Sequence, residues 1–196
     1  MSMRDPAASG RIELVLFDRD GTLVHDVPYN GDPALVAPVP GAADALDRAR
    51  RHLAIGVVTN QSGVAAGLLA EADVQRVNRR VEQLLGPFDV VRWCPHGRGG
   101  GCACRKPEPG MVLDAAAALG VDPARAAVVG DILADVLAAE AAGGVGVLVP
   151  NRVTLPEEVA AARLVAEDLA AAVDLLLTMP ARGPERSCEA ERSRGW

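Results

Sequence analysis

Residues 16–24 read Leu-Phe-Asp-Arg-Asp-Gly-Thr-Leu-Val, and this stretch decides the fold. The apolar run over 12–17 predicts a buried strand that ends at two carboxylates, Asp18 and Asp20. Because side chains alternate along a strand, both carboxylates point to the same side. Gly21 then supplies a turn away from the sheet edge. Most isolated Asp-x-Asp pairs are solvated acids in turns. In a functional site, a cation or a shared proton would be needed to relieve the repulsion between the two carboxylates.

The rest of the chain alternates short β-branched runs with longer alanine-rich stretches, which is typical of a parallel sheet covered by helices. The predicted fold class is α/β: a doubly wound, mainly parallel five-stranded sheet with helices on both faces and no large cap domain. Gly120 and Gly143 are predicted to end two of the helices. Strands are predicted at 12–17, 54–59, 89–93, 126–130 and 145–149, and helices at 41–51, 70–85, 109–119, 133–142, 156–162 and 168–177.

The length of 196 residues fits one domain with a full core. We expect a flexible N-terminus over 1–11 and one folded domain over 12–179. The tail over 180–196 mixes Arg, Glu, Ser, Pro and Gly without periodicity, which predicts disorder, with Cys188 as an unpaired surface thiol.

Composition excludes several classes of partner. A formal net charge of −6 and an aromatic content of 3% argue against nucleic-acid binding. The apolar runs are too short to cross a bilayer, and residues 1–11 lack the pattern of a secretory signal. We therefore expect a cytoplasmic protein, monomeric and without a membrane partner. Four cysteines in such a chain are ligands or free thiols rather than a disulfide framework.

Polar side chains follow three of the predicted strands. Asp18 and Asp20 end the first strand, Thr59 and Asn60 the second, and Asp131 follows the fourth. Ligands of doubly wound sheets lie beyond the carboxyl ends of the strands, so these side chains are expected to converge. Each motif alone has an ordinary structural explanation, such as a turn or a helix N-terminus. Their joint placement favours one functional site.

The convergent residues suit phosphoryl transfer. A carboxylate such as Asp18 that attacks an anionic phosphate needs cations nearby. Mg²⁺ takes one or two carboxylates, and Asp18, the backbone carbonyl of Asp20 and Asp131 are candidate ligands. Asp20 would protonate the leaving alkoxide and later activate the water that hydrolyses the aspartyl-phosphate. Lys106, which alone would be taken for a surface lysine, would supply a mobile positive charge.

Other residues are candidates for substrate contacts. Thr59 offers a hydroxyl donor to the phosphoryl group, and Asn60 offers an amide. Arg105, beside Lys106, could hold a second phosphate bidentately, which favours a bisphosphate substrate.

A second cluster comprises Cys94, His96, Cys102 and Cys104. Three thiols and one imidazole satisfy tetrahedral Zn²⁺ in type and number. The one-residue spacings are tighter than the usual two, so spacing alone fits a zinc site and a flexible glycine loop with reduced thiols equally well. Zinc would offset the lack of packing in the glycine-rich segment 97–101.

With these motifs in place, residues 12–177 resemble the haloacid dehalogenase-like phosphatases. Asp135 lies four residues after Asp131, which favours a role through metal-bound water over direct ligation. The four matching motifs are Asp18-Arg19-Asp20-Gly21-Thr22, Val58-Thr59-Asn60, Arg105-Lys106-Pro107 and Gly130-Asp131-Ile132-Leu133-Ala134-Asp135.

The resemblance implies a role for each matching residue. Asp18 corresponds to the nucleophile and Asp20 to the general acid and base. Thr59 and Lys106 correspond to residues that stabilise the phosphoryl group, and Asp131 to a Mg²⁺ ligand.

The Cys-Pro-His and Cys-x-Cys-Arg-Lys-Pro-x-Pro-Gly-Met segments resemble one branch of the family, which contains D,D-heptose 1,7-bisphosphate phosphatase and histidinol-phosphate phosphatase. The branch implies a structural zinc that fixes the loop before Lys106. It also places Asp26 and Tyr29 in a substrate-contacting loop, although both residues suit a turn equally well. The zinc loop here is short and rich in glycine compared with that of the heptose enzymes, so the pocket is expected to be open.

The sequence thus predicts a Mg²⁺-dependent phosphomonoesterase that acts on a small phosphorylated metabolite. The first candidate reaction removes the 7-phosphate of D-glycero-D-manno-heptose 1,7-bisphosphate. The alternatives are a histidinol-phosphate phosphatase, a non-catalytic module that binds phosphate ligands, and a zinc-stabilised interaction domain.

Overall fold

In the computed structural model, which describes residues 11–179, five strands alternate with six α-helices. The expectations for residues 1–10, for 180–196 and for Cys188 lie outside the described residues. The strands are β1 (Leu14–Phe17), β2 (Ala54–Asn60), β3 (Val90–Cys94), β4 (Ala126–Gly130) and β5 (Val145–Leu148). The helices are α1 (Ala42–Ala49), α2 (Glu71–Leu85), α3 (Gly110–Leu119), α4 (Leu133–Ala141), α5 (Pro156–Ala161) and α6 (Leu169–Thr178).

The strand β1 occupies the middle of a fully parallel sheet with the order β3-β2-β1-β4-β5. Leu14 pairs with Ala54 of β2 on one side and with Ala126 of β4 on the other. All four residues of β1 are buried, because helices cover both faces of the sheet. The strand order reverses at β1, so a crevice opens beyond the end of this strand, where Asp18 lies.

Two apolar cores sandwich the sheet. Because successive side chains of β1 alternate, Val15 and Phe17 join one core, whereas Leu14 and Leu16 join the other. The first core also includes residues of α1, α2 and α6, and the second includes residues of α3 and α4. This division confirms the predicted helices on both faces.

The helix α2 illustrates how local sequence sets an element. Its buried residues, Val74, Val77, Val81 and Leu85, recur every three or four positions and form one apolar face. The carboxylate of Asp73 accepts a hydrogen bond from the backbone N–H of Ala70 at 2.8 Å, which satisfies a donor at the start of the helix.

The predicted elements are confirmed, with shifts of one or two residues at their ends. Gly120 and Gly143 have φ angles of 66° and 85°, the left-handed conformation that stops a helix. Two short 3-10 turns at Pro33–Leu35 and Pro123–Arg125 were not predicted. Between residues 11 and 179 no inserted domain interrupts the sheet, and none of the helices there combines the length and apolarity that a membrane span requires.

Candidate active site

The strand ends form one cavity at the carboxyl edge of the sheet. Asp18 directly follows β1, Thr59 lies near the end of β2, and Asp131 directly follows β4. The cavity measures about 260 Å³, and every residue predicted for catalysis, substrate binding or the magnesium site lines it. These lining residues are Asp18, Asp20, Asp26, Tyr29, Thr59, Asn60, Arg105, Lys106 and Asp131.

Three carboxylates crowd one side of this cavity, from Asp18, Asp131 and Asp135, which we call the acidic cluster. One oxygen from each lies within 4.8 Å of the others, and all three residues are buried. Asp135 reaches the cluster from the first turn of α4. It also accepts a hydrogen bond from the backbone N–H of Ile132 at 3.3 Å.

Lys106 brings a buried cation to the acidic cluster. Its Nζ lies 2.5 Å from Asp18 Oδ1 and 2.5 Å from Asp135 Oδ1, and it donates to the carbonyl oxygen of Val58 at 2.8 Å. Burial alone would lower the pKa of Lys106, but the negative charges of Asp135 and Asp18 outweigh burial and raise it above the ordinary value. Lys106 is therefore charged at neutral pH.

One lysine does not neutralise three carboxylates. Burial raises the pKa of Asp18 well above its ordinary value; Lys106 opposes this shift, and Asp135 and Asp131 add to it. Burial, followed by the charge of Asp135, raises the pKa of Asp131 to about 6. The cluster thus holds hard oxygen ligands and an excess of negative charge, the combination that suits a divalent cation such as Mg²⁺.

A loop after β5 braces Asp131, and the sequence analysis missed it. Asn151 Nδ2 donates to Asp131 Oδ2 at 2.7 Å and to the carbonyl oxygen of Gly21 at 3.0 Å. Thr154 Oγ1 donates to the backbone oxygen of Asp131 at 2.6 Å, and Thr22 Oγ1 donates to Asp131 Oδ1 at 3.2 Å. The signal was present, because Asn151 also follows a strand end.

Asn60 braces the segment that carries Lys106. Its Oδ1 accepts a hydrogen bond from the backbone N–H of Lys106 at 3.1 Å, and its Nδ2 donates to the backbone oxygen of Lys106 at 3.2 Å. Each polar atom of the side chain thus makes one hydrogen bond to the backbone of the lysine. Its predicted contact with substrate remains a prediction.

The remaining predicted substrate residues lie around the cavity mouth. Tyr29 has a φ angle of 52° and is 57% exposed, and its ring lies against Gly63. Burial, followed by the charge of Asp20, raises the pKa of Asp26. Arg105 Nη1 donates to the carbonyl oxygen of His96 at 3.1 Å, which ties the lysine segment to the second cluster.

The four side chains of this second cluster, Cys94, His96, Cys102 and Cys104, come together as predicted; we call them the thiol cluster. The Sγ atom of Cys104 lies 3.0 Å from that of Cys94 and 3.2 Å from His96 Nδ1. Cys94 Sγ is 3.7 Å from Cys102 Sγ. All four ligand atoms lie within 4.8 Å of one another, and the cysteines are free thiols.

The thiol cluster fits a structural zinc ion. Zn–S bonds of about 2.3 Å in a tetrahedron place sulfur atoms roughly 3.8 Å apart. The distance from Cys94 to Cys102, 3.7 Å, matches this spacing, whereas the 3.0 Å between Cys94 and Cys104 is shorter. Burial and the neighbouring thiols raise the pKa of Cys104 to about 12, while hydrogen bonds from the backbone of Arg105 and from Cys104 outweigh desolvation and lower that of Cys102 to about 7. Without a cation, these thiols cannot all ionise together.

A second cavity of about 440 Å³ adjoins the first on the side of the thiol cluster. It shares Asn60, Arg105, Lys106 and Ile132 with the first cavity, and its outer wall is the segment 97–102. Arg98 and Arg105 both line it, together with one acid, Glu108.

Comparison with known proteins identifies relatives of this chain. A family model described as HAD-hydrolase-like matches residues 103–172. A D-glycero-beta-D-manno-heptose-1,7-bisphosphate 7-phosphatase of Bordetella bronchiseptica is 37% identical over 176 residues, which cover 85% of this chain and 98% of the relative. The phosphatase of the same name from Pseudomonas aeruginosa is 34% identical, over 84% of this chain and 97% of the relative.

A solved structure is also similar. It is the crystal structure of D,D-heptose 1,7-bisphosphate phosphatase from Bordetella bronchiseptica, complexed with magnesium and phosphate. It matches with a TM-score of 0.73 and 36% identity, and the match covers 85% of this chain and 98% of that chain.

Proposed function

Because the chain belongs to the haloacid dehalogenase-like hydrolases, in the branch of the heptose bisphosphate 7-phosphatases, we propose that this phosphatase removes the 7-phosphate of D-glycero-D-manno-heptose 1,7-bisphosphate. The single observation that carries the proposal is the position of Lys106, whose ammonium group lies between Asp18 and Asp135 beside Asp131. A carboxylate nucleophile held next to a cation and a metal site is what attack on an anionic phosphate requires.

We assign Mg²⁺ to the acidic cluster, where Asp18, the backbone carbonyl of Asp20 and Asp131 would hold it and Asp135 would act through water. When bound, the ion supplies the positive charge that lets a carboxylate approach an anionic phosphate.

In the first step, an oxygen of Asp18 forms a bond to phosphorus as the bond from phosphorus to the leaving oxygen breaks. Asp20 gives its proton to that oxygen, so the sugar departs as an alcohol and Asp18 carries the phosphoryl group. Lys106 and the hydroxyl of Thr59 stabilise the phosphoryl oxygens. Thr59 Oγ1 accepts a hydrogen bond from Gln61 at 3.0 Å, which leaves its own O–H free to donate.

In the second step, water attacks the phosphorus of the aspartyl-phosphate. Asp20, now a carboxylate, accepts the proton of that water, and the bond between Asp18 and phosphorus breaks. Inorganic phosphate leaves, and both carboxyl groups return to their starting forms.

The second phosphate of the substrate would lie in the cavity beside the thiol cluster. This space is large enough for a phosphate group, and the guanidinium of Arg105 lines both it and the catalytic cavity. Asp26 and Tyr29, which line the catalytic cavity, would contact the sugar, and Asn60 would contact it from its place beside Lys106.

We infer that Zn²⁺ in the thiol cluster has a structural role. Cys104 and Lys106 are separated only by Arg105, so a fixed cluster fixes the start of the lysine segment. Reduced thiol ligands are typical of the cytoplasm, where we place the protein.

Turnover of heptose 1,7-bisphosphate by purified protein with Mg²⁺, followed by phosphorus NMR, tests the proposal. We expect loss of the 7-phosphate signal and retention of the 1-phosphate, with much slower turnover of histidinol phosphate. Faster release from histidinol phosphate, or equal and slow release from both compounds, would overturn the substrate assignment.

A further inference from the structure

Arg19 carries a buried positive charge and has no role in the reaction described above. It lies between the two aspartates of the first motif and is only 1% exposed. A buried guanidinium is costly unless its donors are paired, so its contacts indicate what it does.

The guanidinium of Arg19 grips the carboxylate of Asp20. Nε donates to Asp20 Oδ1 at 3.0 Å, and Nη2 donates to Asp20 Oδ2 at 2.8 Å, a bidentate pair. Nη1 donates in the opposite direction, to Asn78 Oδ1 on α2 at 2.6 Å. Helix α2 therefore holds the arginine in place, and the arginine holds the aspartate.

Gln61 holds Asp20 from a second direction. Its Nε2 donates to Asp20 Oδ2 at 2.8 Å and also to Thr59 Oγ1 at 3.0 Å. Gln61 is buried, so this amide joins the predicted acid and base to the predicted phosphoryl contact inside the protein.

The acceptor sites of Asp20 determine which of its oxygen atoms is free for proton transfer. A carboxylate has about four acceptor sites, two on each oxygen. Arg19 and Gln61 together fill both sites of Oδ2, and Arg19 fills one site of Oδ1. Among residues 11–179 no other donor reaches Oδ1, and the Asp20 side chain is 25% exposed, towards the cavity.

We propose that Arg19 and Gln61 are positioning residues that aim Oδ1 of Asp20 at the leaving oxygen, with Asn78 as the anchor of Arg19. Oδ1 carries the proton to the sugar oxygen in the first step and accepts the proton of water in the second. This inference rests on the proposed function, because it needs Asp20 to be the acid and base.

The test compares first-turnover rates on two substrates whose leaving groups differ. The sugar oxygen of heptose bisphosphate needs a proton to depart, whereas the phenolate of p-nitrophenyl phosphate departs without one. In Arg19→Met we expect the first turnover of the sugar phosphate to fall by about 10²-fold, and that of p-nitrophenyl phosphate to change by less than about threefold.

Asn78→Ala tests the same inference without touching Asp20, should Arg19→Met fail to fold. In this variant we expect the first turnover of the sugar phosphate to fall by about 10-fold and that of p-nitrophenyl phosphate to change little. The effect is smaller than in Arg19→Met because Arg19 loses its contact with Asn78 but keeps its hydrogen bonds to Asp20. Arg79→Met, at the exposed neighbouring position of α2, is the matched control and should leave both rates unchanged.

The variant Asp20→Asn distinguishes failure of the proposed function from failure of the positioning role. If Asp20→Asn slows both substrates equally, the proposed role of Asp20 is wrong. If Asp20→Asn slows only the sugar phosphate, while Arg19→Met and Asn78→Ala slow both substrates equally or neither, the proposed function stands and the positioning role is overturned.

Discussion

The acidic cluster and the thiol cluster are both suited to a metal ion, but they are built in opposite ways. In the acidic cluster, Asp18 and Asp131 directly follow strands and Asp135 lies in the first turn of α4. Its carboxylates are buried, and Lys106 already neutralises part of its charge. The thiol cluster lies at the end of β3 and in the loop that follows it. Two of its ligands, His96 and Cys102, flank the glycine-rich segment 97–101.

We therefore expect the two metals to have different roles. The sheet and its two cores hold the carboxylates in place, so removal of Mg²⁺ should abolish activity and leave the fold intact. Packing cannot hold a run of glycines in place, so removal of Zn²⁺ should disorder the loop and displace Arg105 and Lys106 with it.

The largest expected effect comes from the acidic cluster. Asp18→Asn removes the nucleophile, and we expect phosphate release to fall by about 10⁴-fold or more. Lys106 keeps Asp135 as a partner, so circular dichroism should show an unchanged fold. Asp114→Asn, an exposed acid paired with Arg92, is the matched control and should retain full activity. Wild-type rates in Asp18→Asn would refute the nucleophile assignment.

The second-largest effect is expected at the thiol cluster. Structural zinc contributes on the order of 10 kcal/mol in small domains, so Cys104→Ser should reduce the free energy of unfolding by about 3 kcal/mol or more. Zinc analysis should find about one equivalent in the wild type and less in the variant. Cys188→Ser is the control and should keep its zinc. An unchanged stability in Cys104→Ser would mean that the cluster holds no structural metal.

A smaller effect concerns the loop that braces Asp131. Asn151→Ala removes the donor to Asp131 Oδ2, and we expect Mg²⁺ affinity, measured by calorimetry, to weaken by about 10-fold. The neighbouring Arg152→Ala keeps that hydrogen bond and should bind Mg²⁺ as the wild type does. Equal Mg²⁺ affinities in the wild type, Asn151→Ala and Arg152→Ala would show that Asp131 binds the ion without the hydrogen bond from Asn151.

The smallest effect is a pH dependence of the acidic cluster. Without metal, the pKa of Asp131 in the folded protein is raised to about 6, so the folded state keeps a proton that the unfolded state releases. Stability without metal therefore falls as pH rises from about 4 to about 6, because a buried charge then forms without compensation. Mg²⁺ binds the carboxylate, so its effect on Tm should be larger at pH about 8 than at about 5. A larger effect at the lower pH would contradict the assignment of Asp131 as a ligand.

The sequence was sufficient to predict the sheet because buried parallel strands read as continuous apolar runs. The cavity followed from the rule that ligands lie beyond strand ends, and this rule correctly placed Asp18, Thr59 and Asp131 together. The order of the strands, β3-β2-β1-β4-β5, was not predicted and comes from the structure.

Contacts between distant residues could not be predicted. Arg19 and Asn78 are 59 positions apart, and nothing in either segment alone indicates that the two side chains meet. Likewise, the pairing of the Asn60 side chain with the backbone of Lys106 depends on how the lysine segment folds back onto β2. Charge, size and hydrogen-bonding capacity suggest that such residues have partners, but only the packed structure identifies them.

Chemical trapping of the phosphorylated aspartate tests whether Asp18 receives the phosphoryl group covalently. Protein quenched during turnover is reduced with borohydride, which converts an aspartyl-phosphate to homoserine, and its peptides are then analysed by mass spectrometry. We predict homoserine at position 18 and at no other acidic residue. Homoserine at another position, or its absence during full turnover, would contradict covalent transfer of the phosphoryl group to Asp18.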